Sequence, residues 1–325
     1  MSPRPAEGGG VRFIGCGSAV PTQVLTNDDL AKWVDTSDEW IRTRTGIRQR
    51  YVLGAGESVT SLAVQAGQRA IAQAGITALD LDLIVVATST TDDLFGTAGR
   101  VQRELGAERA VAFDLSAACA GFVFGLVTCA QFLRTGVYHN VLLIGADALS
   151  RWVDWSDRRT CILFGDGAGA IIMQGCPPES DRLLGFELRS DGKGNDLLNL
   201  NYDPERKGFV PITMNGQEVY RFAITAVPEV VAKAVHRARL TIDDLDWLIL
   251  HQANQRIIDA VIQRLNIPPA KAVSNMARYA NTSAASIPIA LDQWIGEGKI
   301  QAGHILALSG FGAGLSWGAV ILRWG

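Results

Sequence analysis

Several things are scarce in this sequence. Only four of its 325 residues are histidine and five are cysteine. The cysteines, at 16, 119, 129, 161 and 176, make no CxxC pair and no His/Cys cluster. That excludes the common zinc frameworks and a disulfide scaffold, and it suits a reducing compartment. Basic charge is not in excess, since 30 Lys and Arg stand against 33 Asp and Glu. A net charge of −3 speaks against a nucleic-acid partner. No apolar run approaches the roughly 20 residues of a bilayer span, so no membrane is expected. Two glycine-rich stretches fall short of nucleotide loops. Gly15-Cys-Gly17 meets Pro21 where a third glycine would stand, and FGDGAGA has no GK[ST]. Residues 1–10, MSPRPAEGGG, lack the apolar stretch of a signal peptide. They are expected to be a disordered tail on a cytoplasmic protein.

What is present is core. Hydrophobic residues make up 48% of the chain and charged ones 19%, enough for one large domain or two of ordinary size. Residues 11–16, 83–88, 111–115 and 140–145 read as buried strands. Cys161–Met173 reads as two strands about a glycine turn. Residues 57–75 and 96–105 read as helices. Asn27–Asp35 and a segment from Thr36 or Ser37 read as capped helices. The stretch Trp40–Arg44 is either a surface helix with a stacked Trp, or a site for an adenine ring and phosphates.

The chain repeats itself. Ala70–Ala87 aligns without gaps to Ala234–His251, an offset of 164. Strand 141–146 falls on 305–310 at the same offset, and Cys119 falls on Ser283. Residues 169–172 find a partner in 318–321. The chain is therefore expected to be two duplicated α/β halves, 11–175 and 176–325. Packed about a pseudo-twofold, they would bring Cys119, His251 and Asn281 to one buried site.

Cys119 anchors that expectation. It lies between strand Val111–Leu115 and CAGFVFGLVTCAQFLR, a segment apolar nearly all round that must be buried on every side. Ser116 is a suitable helix cap. A thiol at the start of a buried helix is expected to be pushed toward thiolate, the nucleophilic form.

The stretches TSDEWIRTRTGI, DLSAACAGF, ILFGDGAGA, HQANQRI, NTSAASIP and GFGAGLSWGA, taken together and in this order, resemble the thiolase superfamily. Within it the chain is most similar to the β-ketoacyl-[acyl-carrier-protein] synthase III family. Elongating synthases carry His where this chain has Asn281, and thiolases need a late second cysteine, absent here after Cys176. The resemblance implies a five-layer αβαβα fold, a homodimer and a catalytic triad of Cys119, His251 and Asn281. It implies an oxyanion hole from the Cys119 and Ala313 N–H groups. Trp40, Arg44, Arg158, Gly216 and Asn254 would bind coenzyme A. Gln252, Ala253, Asn254, Gln255 and Arg256, with Arg221 and Arg264 nearby, would receive acyl carrier protein. Phe95 would close the acyl pocket of the partner subunit. The implied reaction joins a short acyl-CoA to malonyl-carrier protein by decarboxylative condensation, with no metal or redox cofactor. Alternatives are a starter-unit enzyme of secondary metabolism and a catalytically silent carrier-binding dimer.

Overall fold

The computed structural model describes residues 9–325. The expected tail thus lies largely outside the described residues. Gly9 and Gly10 do not belong to it. The Gly9 N–H donates to the Arg134 carbonyl, and Gly10 pairs with Cys176.

Two sheets carry the fold. The first holds β1 (Gly10–Ala19), β2 (Leu83–Ala87), β3 (Val111–Leu115), β4 (Asn140–Ala148) and β5 (Asp166–Cys176), in the order β1-β5-β4-β2-β3. The second holds β6 (Leu183–Ser190), β7 (Trp247–Leu250), β8 (Ile305–Gly312) and β9 (Ser316–Arg323), in the order β7-β8-β9-β6. Their pairings match. β1/β5 and β5/β4 are antiparallel and β4/β2 parallel; β6/β9 and β9/β8 are antiparallel and β8/β7 parallel. β2 and β4 are buried at every position, which is why they read as unbroken apolar runs instead of alternating ones.

Helices complete the layers. α1 is Asp38–Thr45, α2 Val59–Ala74, α3 Ala98–Leu105, α4 Gly121–Arg134, α5 Gly216–Arg237, α6 Gln255–Leu265 and α7 Ser286–Gly296. α2 covers the outer face of the first sheet and α5 that of the second. α4 touches strands of both sheets, and so does α7. These two are the middle layer of a five-layer αβαβα arrangement, and their position between sheets explains their apolar composition. One apolar cluster joins Val11, Leu126 and Leu143 to Ile249, Leu306 and Val320, so the halves share a core. β5 continues to Cys176, one residue past the expected boundary.

Three local expectations are corrected. Asn27–Asp35 is helical only over Asn27–Leu30. Ser116 caps nothing: a short 3₁₀ turn, Ala118–Ala120, intervenes before α4, with Ala118 at a φ of +46°. Cys161–Phe164 is not a strand. The backbone on either side of Phe164 pairs instead with Asn281, whose N–H donates to the Leu163 carbonyl while its carbonyl accepts from the Gly165 N–H. The partner of this segment lies in the other half, so no hairpin forms.

Candidate active site

Sterics first bring the two halves together. A Cβ on Gly312 would sit 2.7 Å from the Cys119 backbone N, so only glycine lets β8 pass that closely. Gly145 on β4 stands in the same relation to the Ala284 carbonyl. Cys119 and Ser283, equivalent under the 164-residue offset, therefore meet, and the Ser283 hydroxyl donates to Cys119 Sγ at 3.3 Å.

His251 follows β7. Its N–H donates to the Ser309 carbonyl at 2.7 Å, and its ring packs edge-on against Phe311 at 5.3 Å. Nδ1 lies 2.7 Å from Ser286 Oγ. That oxygen accepts the Gln252 N–H at 3.3 Å, and the acceptor left for its own hydrogen is Nδ1. The ring hydrogen is thereby assigned to Nε2. Burial pulls the imidazole pKa down to about 3, so it is neutral at physiological pH. Asn281 Oδ1 accepts the Ser283 N–H at 2.9 Å, which leaves Nδ2 as the group Asn281 presents.

Cys119 corrects an expectation. The thiol is pushed up to about 12 by burial, and the Asp147 carboxylate pushes the same way. Loss of water around the anion is the largest cause, and the resting side chain is a protonated thiol.

Two cavities meet at this sulfur, sharing Cys119, Phe164 and Leu198. The first is lined by His251, Asn281 and Phe311 in its depth, and by Gly216, Tyr220, Ala253 and Asn254 along its wall. Exposed Arg44, Arg159 and Arg256 stand at its mouth. The second runs past Ser283, Ala313, Leu149, Trp152 and Phe209 to exposed Leu94.

The remaining expected site residues divide. Ala313 lines the second cavity with Cys119. Gly216 begins α5 and Asn254 caps α6 through its side chain, both on the first cavity. Trp40 and Arg158 line neither cavity. The Arg44 and Arg158 guanidinium carbons lie 4.2 and 5.0 Å from the Trp40 ring centroid, and Arg158 Nη1 donates to the Asp35 carbonyl. An adenine ring flanked by Trp40 and Arg158 requires Arg158 to leave that ring. Gln252 is corrected outright: it is completely buried. Its Nε2 donates to the Leu250 and Val273 carbonyls and its Oε1 accepts from Asn275 N–H, so it cannot meet a partner. Gln255 is engaged by Ser274 and Asp259. Ala253 and Arg256 face the first cavity. Arg221 pairs with Glu218, and Arg264 donates to the Ile224 carbonyl. Phe95 lines neither cavity and is fully exposed. Sequence reasoning gave no role to Asp147, Ser283 or Ser286, although the internal repeat singled out Ser283 as the counterpart of Cys119. Among the described residues no group of three or more His, Cys, Asp or Glu could hold a metal, and no helix is long and apolar enough to cross a membrane.

Twin sheets enclosing two middle helices, with a thiol, a neutral imidazole and a carboxamide on one channel, define a thiolase-fold enzyme of acyl transfer. Comparisons narrow the class. Family profiles described as 3-oxoacyl-[acyl-carrier-protein] synthase III, and as its C-terminal part, match residues 113–192 and 235–324. A β-ketoacyl-[acyl-carrier-protein] synthase III from Nostoc sp. is 62% identical, over 97% of this chain and 98% of its own. The crystal structure of the 3-oxoacyl-[acyl-carrier-protein] synthase III from Aquifex aeolicus VF5 superposes with a TM-score of 0.92 at 43% identity, covering 97% of this chain and 100% of that one. The priming β-ketosynthase of the R1128 polyketide pathway gives 0.93 at 34%, covering 100% and 99%. The chain belongs to the β-ketoacyl-[acyl-carrier-protein] synthase III family.

Proposed function

We propose that this chain condenses a short acyl-CoA primer, acetyl-CoA foremost, with malonyl-[acyl carrier protein], and so begins fatty-acid synthesis of the dissociated type. The observation that carries this reading is the meeting of Cys119, His251 and Asn281 on one channel, in a chain of this family. Cys119 attacks the acyl thioester, and its own N–H and that of Ala313 receive the oxyanion. One such donor is typically worth about 3 kcal/mol of barrier. Decarboxylation of the malonyl group then generates an enolate. His251 Nε2–H and Asn281 Nδ2–H are its donors, and both are neutral. The enolate attacks the acyl-enzyme, releasing the 3-oxoacyl thioester and Cys119. The steps move only acyl groups, carbon dioxide and protons, and they call on no metal or redox cofactor.

Arg44, with Arg159 beside it, is suited to the phosphates of coenzyme A, and exposed Arg256 to the acidic carrier. We assign the working form as a cytoplasmic homodimer. Two features support the pairing. Leu94 and Phe95 are large, apolar and exposed, and β3 ends its sheet with an outer edge that no described strand covers.

Three variants test the reading. Cys119→Ala abolishes the acetyl adduct seen by intact mass. His251→Ala and Asn281→Ala keep the adduct and lose condensation with malonyl-carrier protein by about a hundredfold or more. No adduct on wild-type Cys119 with any short acyl-CoA would overturn it. The likeness to the R1128 enzyme supports a second reading, a starter-unit synthase. Acylation without turnover of malonyl-[acyl carrier protein] from the fatty-acid pathway would favour that one.

A further inference from the structure

The groups that orient the two enolate donors lie in one short stretch of chain. Between Asn281 and Ser286 runs a 3₁₀ turn, Ser283–Ala285, which opens with Ser283 at a φ of +51°. The Ser283 N–H donates to Asn281 Oδ1 and so fixes which end of that amide is free. Ser286 is the first residue of α7, and it is buried with its Oγ 2.7 Å from His251 Nδ1. Among the described residues no other group hydrogen-bonds to the imidazole.

Gln252 enters here in a role the sequence did not suggest. Its side chain is tied to the Leu250 and Val273 carbonyls and to the Asn275 N–H. Held in this way, its backbone N–H donates to Ser286 Oγ at 3.3 Å. A ring hydrogen on Nδ1 would fill the hydroxyl's other acceptor site and leave its own hydrogen with no described acceptor. An unmet buried donor disfavours that arrangement by about tenfold or more in population. The Ser286 hydroxyl therefore donates to Nδ1, and Nε2 keeps its hydrogen.

We propose that Ser286, steadied by Gln252, is the positioning residue of His251, so that the turn from Asn281 to Ser286 sets both donors of the enolate site at once. Ser286 lines neither cavity and transfers no proton. It acts through the ring, holding the plane and the hydrogen of a neutral imidazole. Both donors then stand in place before charge develops on the enolate oxygen, and the condensing step needs no reorientation.

The assignment rests on the condensation reading for its place in the cycle, but part of its test needs no substrate. The chain has four histidines, so a histidine-labelled nitrogen spectrum is readable, and His251→Gln identifies the His251 signals. Wild type is expected to show the hydrogen on Nε2 and Nδ1 shifted as an acceptor. Ser286→Ala is expected to move the Nδ1 signal, since its donor is gone. The same variant is expected to lower kcat for condensation by about ten- to a hundredfold, the range seen when the partner orienting a ligating histidine is lost. KM for malonyl-carrier protein should stay within about twofold, because the group lost does not touch substrate. Ser286→Thr, which keeps the hydroxyl, is expected to restore both signal and rate. A wild-type ring hydrogen on Nδ1 overturns the assignment. So does a Ser286→Ala protein with either signal or kcat unmoved, or an equal loss in the alanine and threonine variants. Should the variants fold poorly, the wild-type spectrum decides alone. The expected spectrum in a wild-type protein that fails to condense would count against the proposed reaction only.

Discussion

Burial sets the protonation of both chemical groups in the channel, and in opposite directions. The thiol is driven up to about 12 and the imidazole down to about 3, so each is neutral at rest. For His251 this has a consequence in stability. Between its ordinary value of 6.5 and about 3, the unfolded chain binds a proton that the folded chain does not. The His251 contribution to stability is whole above that window and is lost as pH falls through it, by about 1.4 kcal/mol per unit in the steep part. The stability of wild type relative to His251→Gln is therefore expected to decline from pH 7 to pH 4, measured as the difference in urea midpoints. A constant difference would show that the folded imidazole takes up its proton normally. That Cys119, His251 and Asn281 would share one channel was legible in the sequence, because each ends or begins an apolar segment of the repeat. The burial of Gln252 was not. Its neighbours in HQANQRI face the channel, and nothing in the residue order reveals that its amide ties Leu250, Val273 and Asn275 together.

Elements make the site by close approach. β8 passes the Cys119 turn at a distance that only a missing side chain permits. Gly312→Ala should cost about 1–3 kcal/mol, the usual range for overpacking, because the atom it meets is backbone and cannot swing away. The shift also moves the neighbouring Ala313 N–H, so acylation is expected to slow by at least about tenfold. Gly296→Ala is the control: nothing lies within 4 Å of its new Cβ, and in α7 it should raise stability by up to about 1 kcal/mol. Thermal midpoints and a stopped-flow acylation trace check both. Strands with two buried faces announced themselves as unbroken apolar runs. Residues 161–164 carried the same signature and are not a strand, because their pairing partner, Asn281, lies more than a hundred residues away in the other half. Local patterning reports burial faithfully and says nothing about which backbone completes the hydrogen bonds.

At the scale of the molecule, duplication gives the two halves one common core and sets Cys119 against its counterpart Ser283 where they meet. It also leaves apolar side chains outside. In the proposed homodimer Phe95 would be covered, and Phe95→Asp is expected to weaken self-association by about tenfold or more, read by sedimentation. An unchanged sedimentation profile would remove that loop from the interface. The second cavity, which reaches the surface at Leu94, gives this pairing a chemical meaning. On the proposed reaction, a chain standing alone would hold its acylated sulfur where two cavities meet, with solvent able to come up from behind through the second. In the proposed homodimer the partner would shut the rear door, and simple dilution is then expected to raise loss of the acyl group to water at the expense of condensation.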